Sequence, residues 1–216
     1  MEAAFRPNST PLQQEDRMHR FIIAAALIAA PAVAQTGQLA RVQAHLRAVT
    51  TMTAAFAQTD RTGRTLTGTI TLKQPGKIRF QYQKDVPLLI VGDGKALNFI
   101  DYKVNQVSRW KVGDSPLALL LDPSKDISRY AHVEPGVPEG QIVIEGRDPK
   151  RPEFGTITMG FAAKPGAPGG LMLAGWSVLD AQGNRTTTVL SDQKFGMPVS
   201  DRAFLWRDPR PQTRGH

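Results

Sequence analysis

The chain has 216 residues, 41% of them hydrophobic, which suits one globular domain of moderate size. It has no cysteine, and this excludes a disulfide, a thiolate zinc site, a cysteine nucleophile and a lipid-modified cysteine. The formal net charge is +8, but lysines and arginines are dispersed rather than clustered, so the charge does not point to nucleic acid.

Residues 18–34 read MHRFIIAAALIAAPAVA. Arg20 supplies a positive start, Phe21 to Ala30 is apolar, and Ala32-Val33-Ala34 has the small-x-small pattern of a signal-peptidase site. This is the layout of a cleaved secretory signal, and it is too short for a membrane span. The expectation is an exported, periplasmic protein beginning at Gln35. Residues 1–17 then read as a start-site extension, with translation beginning at Met18.

From Gln38 to Thr50 the chain has helical periodicity. Leu39, Val42, Leu46 and Val49 form one stripe, with Thr36 as the expected N-cap. In TMTAAFAQT, Met52, Ala54 and Phe56 alternate with other residues, giving a first strand. Asp60 to Gly63 is a turn.

The stretch Thr65 to Tyr102 is an antiparallel meander, expected in the middle of a large sheet. Leu66, Gly68, Ile70 and Leu72 share one face, and Ile78, Phe80 and Tyr82 share one face of the next strand. The two runs flank Gln74-Pro75-Gly76-Lys77, a tight reversal. A third run, Leu88 to Val91, ends at Asp93-Gly94, a hairpin signal, and Lys95 to Tyr102 follows. VNQVSRWKV adds a further strand.

Ser115-Pro116 starts a short apolar helix, LALLL, which Pro123 stops. Asp126 to Tyr130 adds a turn. Gln141–Gly146, Thr156–Ala162, Leu171–Asp180 and Arg185–Asp192 read as strands, and Phe204 and Trp206 as a last edge strand. Residues 35–206 thus form a single domain, with 207–216 a mobile tail. The class is α+β: about ten or eleven antiparallel strands with a few helices.

Signatures of catalysis are missing. No nucleophile elbow, P-loop or dinucleotide fingerprint occurs. His45, His132 and His216 lack metal-ligand spacing, so no metal and no cofactor are expected. Asp122 and Asp126 read as capping residues and Asp93 as a turn residue. An enzyme is disfavoured.

The order of motifs resembles the LolA family of periplasmic outer-membrane lipoprotein carriers, from Leu39 to about Trp206. The resemblance rests on Phe56-Ala57-Gln58, Gly68 to Lys73 leading into Pro75-Gly76, Ile78-Arg79-Phe80, Val91-Gly92-Asp93-Gly94-Lys95 and Ser115-Pro116-Leu117. It implies an incomplete β-barrel with helices across its open side. The cavity for lipoprotein acyl chains would include Ile70, Leu72, Ile78, Phe80 and Ile90. The lid would supply Val42, Leu46, Ala118 and Leu120. The implied partners are lipoproteins, an inner-membrane releasing transporter and an outer-membrane acceptor, with the carrier a monomer. The family's arginine before the central proline, which holds the lid, is replaced here by Gln74. The alternative function on the same half-barrel is a periplasmic lipid- or glycolipid-binding protein or a regulatory sensor module.

Overall fold

A computed structural model describes residues 30–115 and 117–211, with side chains from Gln35 onward. The expected 1–17 extension, most of the signal segment, Pro116 and the end of the tail lie outside the described residues.

Eleven antiparallel strands form one open sheet. They are β1 (Thr51–Thr59), β2 (Thr65–Lys73), β3 (Lys77–Tyr82), β4 (Leu88–Asp93), β5 (Ala96–Asp101), β6 (Gln106–Lys111), β7 (Ala131–Val133), β8 (Gln141–Arg147), β9 (Thr156–Ala163), β10 (Leu171–Leu179) and β11 (Arg185–Phe195). Their spatial order is β6-β5-β4-β3-β2-β1-β11-β10-β9-β8-β7. The Thr65–Tyr102 meander is therefore one wing rather than the middle of the sheet. The middle is β1, which pairs with β2 on one side and β11 on the other. Alternation within a strand shows its faces but not its distant partner, and that partner is what places β1 centrally.

Facing predictions within the wing hold. Ile70 stands opposite Phe80, and Leu72 opposite Ile78, all on one buried face. Phe56 lies across from Gly68 in the register of β1 and β2. A Cβ on Gly68 would meet the Gln81 carbonyl at 2.2 Å and the Phe56 ring at 2.8 Å, so only glycine leaves room for that ring. Phe56 then packs edge-on against Phe80 and Tyr82, with centroids 5.5 and 5.2 Å apart.

Two helices cover the apolar face. α1 (Ala30–Ala48) begins earlier than the expected Gln38 and ends before Thr50, so Thr36 lies inside the helix rather than capping it. The Ala34–Gln35 bond also lies within it; alanine-rich sequence has high helix propensity and carries the helix across this stretch. α2 (Ala118–Leu121) is a single turn capped by Leu117, not by Ser115. The Ser115 hydroxyl instead donates to the Val112 carbonyl at 2.9 Å, closing the preceding 3-10 turn, Val112–Asp114.

The C-terminal segment is not an edge strand. Asp201–Phe204 is a 3-10 turn. Phe204 joins Leu89, Val91 and Ile100 in a second, smaller core, with Trp206 packed against it. That core covers the outer face of the first wing and explains why successive residues of β4 are buried. Asp201 anchors the segment, 2.8 Å from Lys73 Nζ and 2.9 Å from Lys77 Nζ. The sheet's real edges are β6 and β7. The three-residue β7, which follows Tyr130, was too short to show in the sequence pattern.

Candidate functional site

The covered face is one apolar cluster. The expected cavity residues Ile70, Leu72, Ile78, Phe80 and Ile90 belong to it together with Val42, Leu46 and Leu120. Every one is buried, so the helices fill the concave side of the sheet with their own side chains. Ala118 is buried but lies outside this cluster. It lines a separate cavity of about 40 Å³ with Leu119, Tyr130, Gly146 and Phe154. A larger groove, about 620 Å³, is lined by Lys73, Met197 and Val199 among others, none of them from the main cluster.

Gln74 sits in the turn between β2 and β3. Its Nε2–H donates to the Leu120 carbonyl at 2.8 Å. The backbone N–H of Gly76 donates to the Leu121 carbonyl, also at 2.8 Å. Carbonyls in the last turn of a helix have no partner within the helix, and the β2–β3 turn supplies one to each. Gly76 makes this approach possible: its φ is +72°, and a Cβ there would meet Gly94 Cα at 2.9 Å. The Pro75-Gly76 turn thus rests on the neighbouring Asp93-Gly94 turn. Asp93 serves that turn as expected, its Oδ1 accepting from the backbone of Lys95 and Ala96 at 2.8 and 2.7 Å.

Two further polar residues, Gln43 and His45, hold the cover, a role the sequence analysis gave to neither. Gln43 Nε2–H donates to the Pro123 carbonyl at 3.1 Å, and Gln43 Oε1 accepts from the Ile127 backbone at 3.0 Å. One buried amide thereby joins α1 to the segment that follows α2. His45 Nδ1 lies 2.7 Å from the Pro168 carbonyl, so this nitrogen carries the proton. The imidazole meets Phe161 and Phe195 edge-on, at 5.6 and 6.5 Å. Burial lowers the His45 pKa below its ordinary 6.5, partly opposed by the bond to Pro168, and this favours the neutral ring. The sequence held a signal for both residues. Gln43 and His45 fall at helical spacing within the Leu39, Val42, Leu46 stripe, where a polar side chain is buried and needs a partner.

A polar chain crosses the same face of the sheet. Tyr82 Oη–H donates to Gln58 Oε1 at 2.6 Å, and Gln58 Nε2–H donates to Thr188 Oγ1 at 3.3 Å. Burial pushes the Tyr82 pKa up to about 12, so the phenol stays a neutral donor. Asp122 and Asp126 cap local turns as expected, accepting from the Ser124 and Ser128 backbones at 3.2 and 3.1 Å. The chemistry of this arrangement is apolar enclosure behind a few neutral hydrogen bonds.

Comparison with known proteins agrees with this architecture. The family model described as "Outer membrane lipoprotein carrier protein LolA" matches residues 47–206. The outer-membrane lipoprotein carrier protein of Chromobacterium violaceum is 31% identical over 195 residues, covering 86% of this chain and 90% of that protein. The protein of the same description from Neisseria meningitidis serogroup B is 26% identical over 208 residues, covering 92% of this chain and 97% of its own length. Among solved structures, a DUF1329 family protein from Desulfovibrio piger shares the fold, with a TM-score of 0.50 at 11% identity, covering 79% of this chain and 96% of that one. Sequence match and open half-barrel together establish that the chain belongs to the LolA family of outer-membrane lipoprotein carriers.

Proposed function

We propose that this protein is a periplasmic carrier that holds the acyl chains of lipoproteins between its sheet and its two covering helices. The observation that carries this reading is the continuous apolar cluster between the sheet and its two covering helices, held at their polar points by Gln74, Gln43 and His45. Ile70, Leu72, Ile78, Phe80 and Ile90 form the acyl-chain wall. Val42, Leu46 and Leu120 form the lid, with Ala118 at its margin and Gln74 as its latch. The carrier is exported through the signal segment, cleaved after Ala34, and works as a monomer of one domain, residues 35–206. It takes lipoproteins from an inner-membrane releasing transporter and passes them to an outer-membrane acceptor, without catalysis or cofactor.

The energetics suit a carrier. Burying an acyl chain yields about 0.8 kcal/mol per CH₂, of order 10 kcal/mol for one long chain. Each lid leucine that leaves the cluster gives up about 1.5–3 kcal/mol. Ligand and lid leucines compete for one surface, so the net affinity is lower than that of a rigid open pocket, and release needs only a tighter acceptor.

The test is to incubate the purified protein with spheroplasts or inner-membrane vesicles containing the releasing transporter and measure soluble lipoprotein. Release in a one-to-one complex supports the carrier. No release, together with no acylated species in the mass spectrum of protein purified from the periplasm, sinks it.

A further inference from the structure

On the outer surface of the β7–β8 edge, opposite the apolar cluster, lies a group of side chains that the carrier reading does not use. Ala131 and Val133 of β7 point into the cluster, so His132 between them points outward. Glu134 follows at the next outward position, its backbone N–H bonded to the Val143 carbonyl of β8 at 2.8 Å. Glu145 of β8 stands directly across from His132 in the register. His132 Nε2 lies 3.0 Å from Glu134 Oε1. One ligand atom from each of the three residues falls within 4.8 Å of the others.

From this geometry we infer a binding site for a divalent transition-metal ion, of the zinc class, formed by His132, Glu134 and Glu145. An imidazole nitrogen selects zinc, copper or nickel over magnesium or calcium, which prefer all-oxygen sets. Zinc bonds to nitrogen and carboxylate oxygen are about 2.0–2.2 Å, so tetrahedral ligand atoms sit about 3.4 Å apart. The His132–Glu134 spacing already approaches this, and Glu145 closes the set by rotating its side chain. With side-chain exposures of 62% and 35% for His132 and Glu134, water can complete the coordination sphere.

Electrostatics favour a cation at this place. Every other ion pair among the described residues joins a carboxylate to lysine or arginine. Here two carboxylates lie close together beside one imidazole, with no described lysine or arginine paired to either. Arg147 shares the outward face of β8 but forms no ion pair with either. A bound ion would tie the short edge strand β7 to β8 on the side away from α1, which packs on the inner side of β7. The site stands apart from the apolar cluster, so it does not depend on what that cluster carries.

The experiment titrates Zn²⁺ into untagged protein by calorimetry and follows Tm, for wild type, His132→Ala and Glu145→Gln. Expected are one ion per chain and a rise in Tm of about 3 °C or more at saturation. His132→Ala should abolish both, and Glu145→Gln should weaken binding at least tenfold. His132 is exposed and Glu145 only half-buried, so the metal-free Tm of each variant should stay near wild type. If His132→Ala fails to fold, the near-isosteric Glu145→Gln decides alone. Absence of binding by wild type at millimolar Zn²⁺, or unchanged binding by the folded variants, overturns the site.

Discussion

Gln74 and Leu120 are 46 residues apart in sequence and joined by one hydrogen bond, from the side-chain amide of a β-turn to a helix carbonyl at 2.8 Å. The bond connects the strand wing to the one-turn helix α2, which is too short to hold itself together in water. Its strength bears directly on how readily the cover opens. Gln74→Ala removes a neutral hydrogen bond worth about 0.5–1.5 kcal/mol. It should make a hydrophobic fluorescent dye bind severalfold more readily. Gln74→Arg supplies a charged fork and should make dye bind more weakly. Identical dye binding in wild type and both variants would show that this bond does not control access.

The two faces of β3 predict different consequences for neighbouring residues. Phe80 is 2% exposed and packs edge-on against Phe56 and Trp176, at 5.5 and 6.1 Å. Arg79 points outward and donates to the Ala203 and Leu205 carbonyls at 3.3 and 3.0 Å. Phe80→Ala should cost about 3–5 kcal/mol of stability and lower lipoprotein binding. Arg79→Ala should leave binding intact and speed limited proteolysis after Val199. Denaturant melts and protease time courses on the same two variants separate these outcomes.

His45 predicts a pH dependence. Its pKa is lowered on folding, chiefly by burial, so between the folded value and 6.5 the unfolded chain binds more protons. The stability this residue contributes is complete above 6.5 and is lost as pH falls through the folded pKa. His45→Gln cannot titrate but can still donate to the Pro168 carbonyl. Wild type should therefore lose more Tm than His45→Gln between about pH 7 and pH 5. Parallel Tm profiles would show that the imidazole stays neutral throughout or is solvated before unfolding.

Gly146 marks where α2 meets the far wing. A Cβ there would lie 2.2 Å from Leu119 Cδ1. The backbone is an ordinary strand, so Gly146→Ala adds one methyl without conformational strain. Overpacking should cost about 1–3 kcal/mol and displace Leu119. Tm should fall and dye binding should rise. A fall in Tm without a change in dye binding would assign this contact to stability alone.

Much of the local structure was legible in the sequence. Alternation in β2 and β3 placed Ile70, Leu72, Ile78 and Phe80 on one face, because side-chain direction in a strand follows from residue parity alone. The Gln74-Pro75-Gly76 and Asp93-Gly94 turns were legible for a similar reason: few residue types tolerate those backbone angles. Motif order also identified the family.

What depends on residues distant in sequence was decided only by the tertiary structure. The pairing of β1 with β11 joins segments more than a hundred residues apart, and no local pattern encodes it. Phe204 and Trp206 alternate like a strand, yet Phe204 is buried with Leu89 and Val91 on the outer face and Trp206 packs against that group, because this apolar face of the wing is otherwise uncovered. Gln43 and His45 are polar residues in an apolar stripe, and only the tertiary structure supplies their partners at Pro123, Ile127 and Pro168. A buried polar group requires a hydrogen-bond partner, and the sequence can state that requirement. Which backbone carbonyl answers it depends on how the whole chain closes.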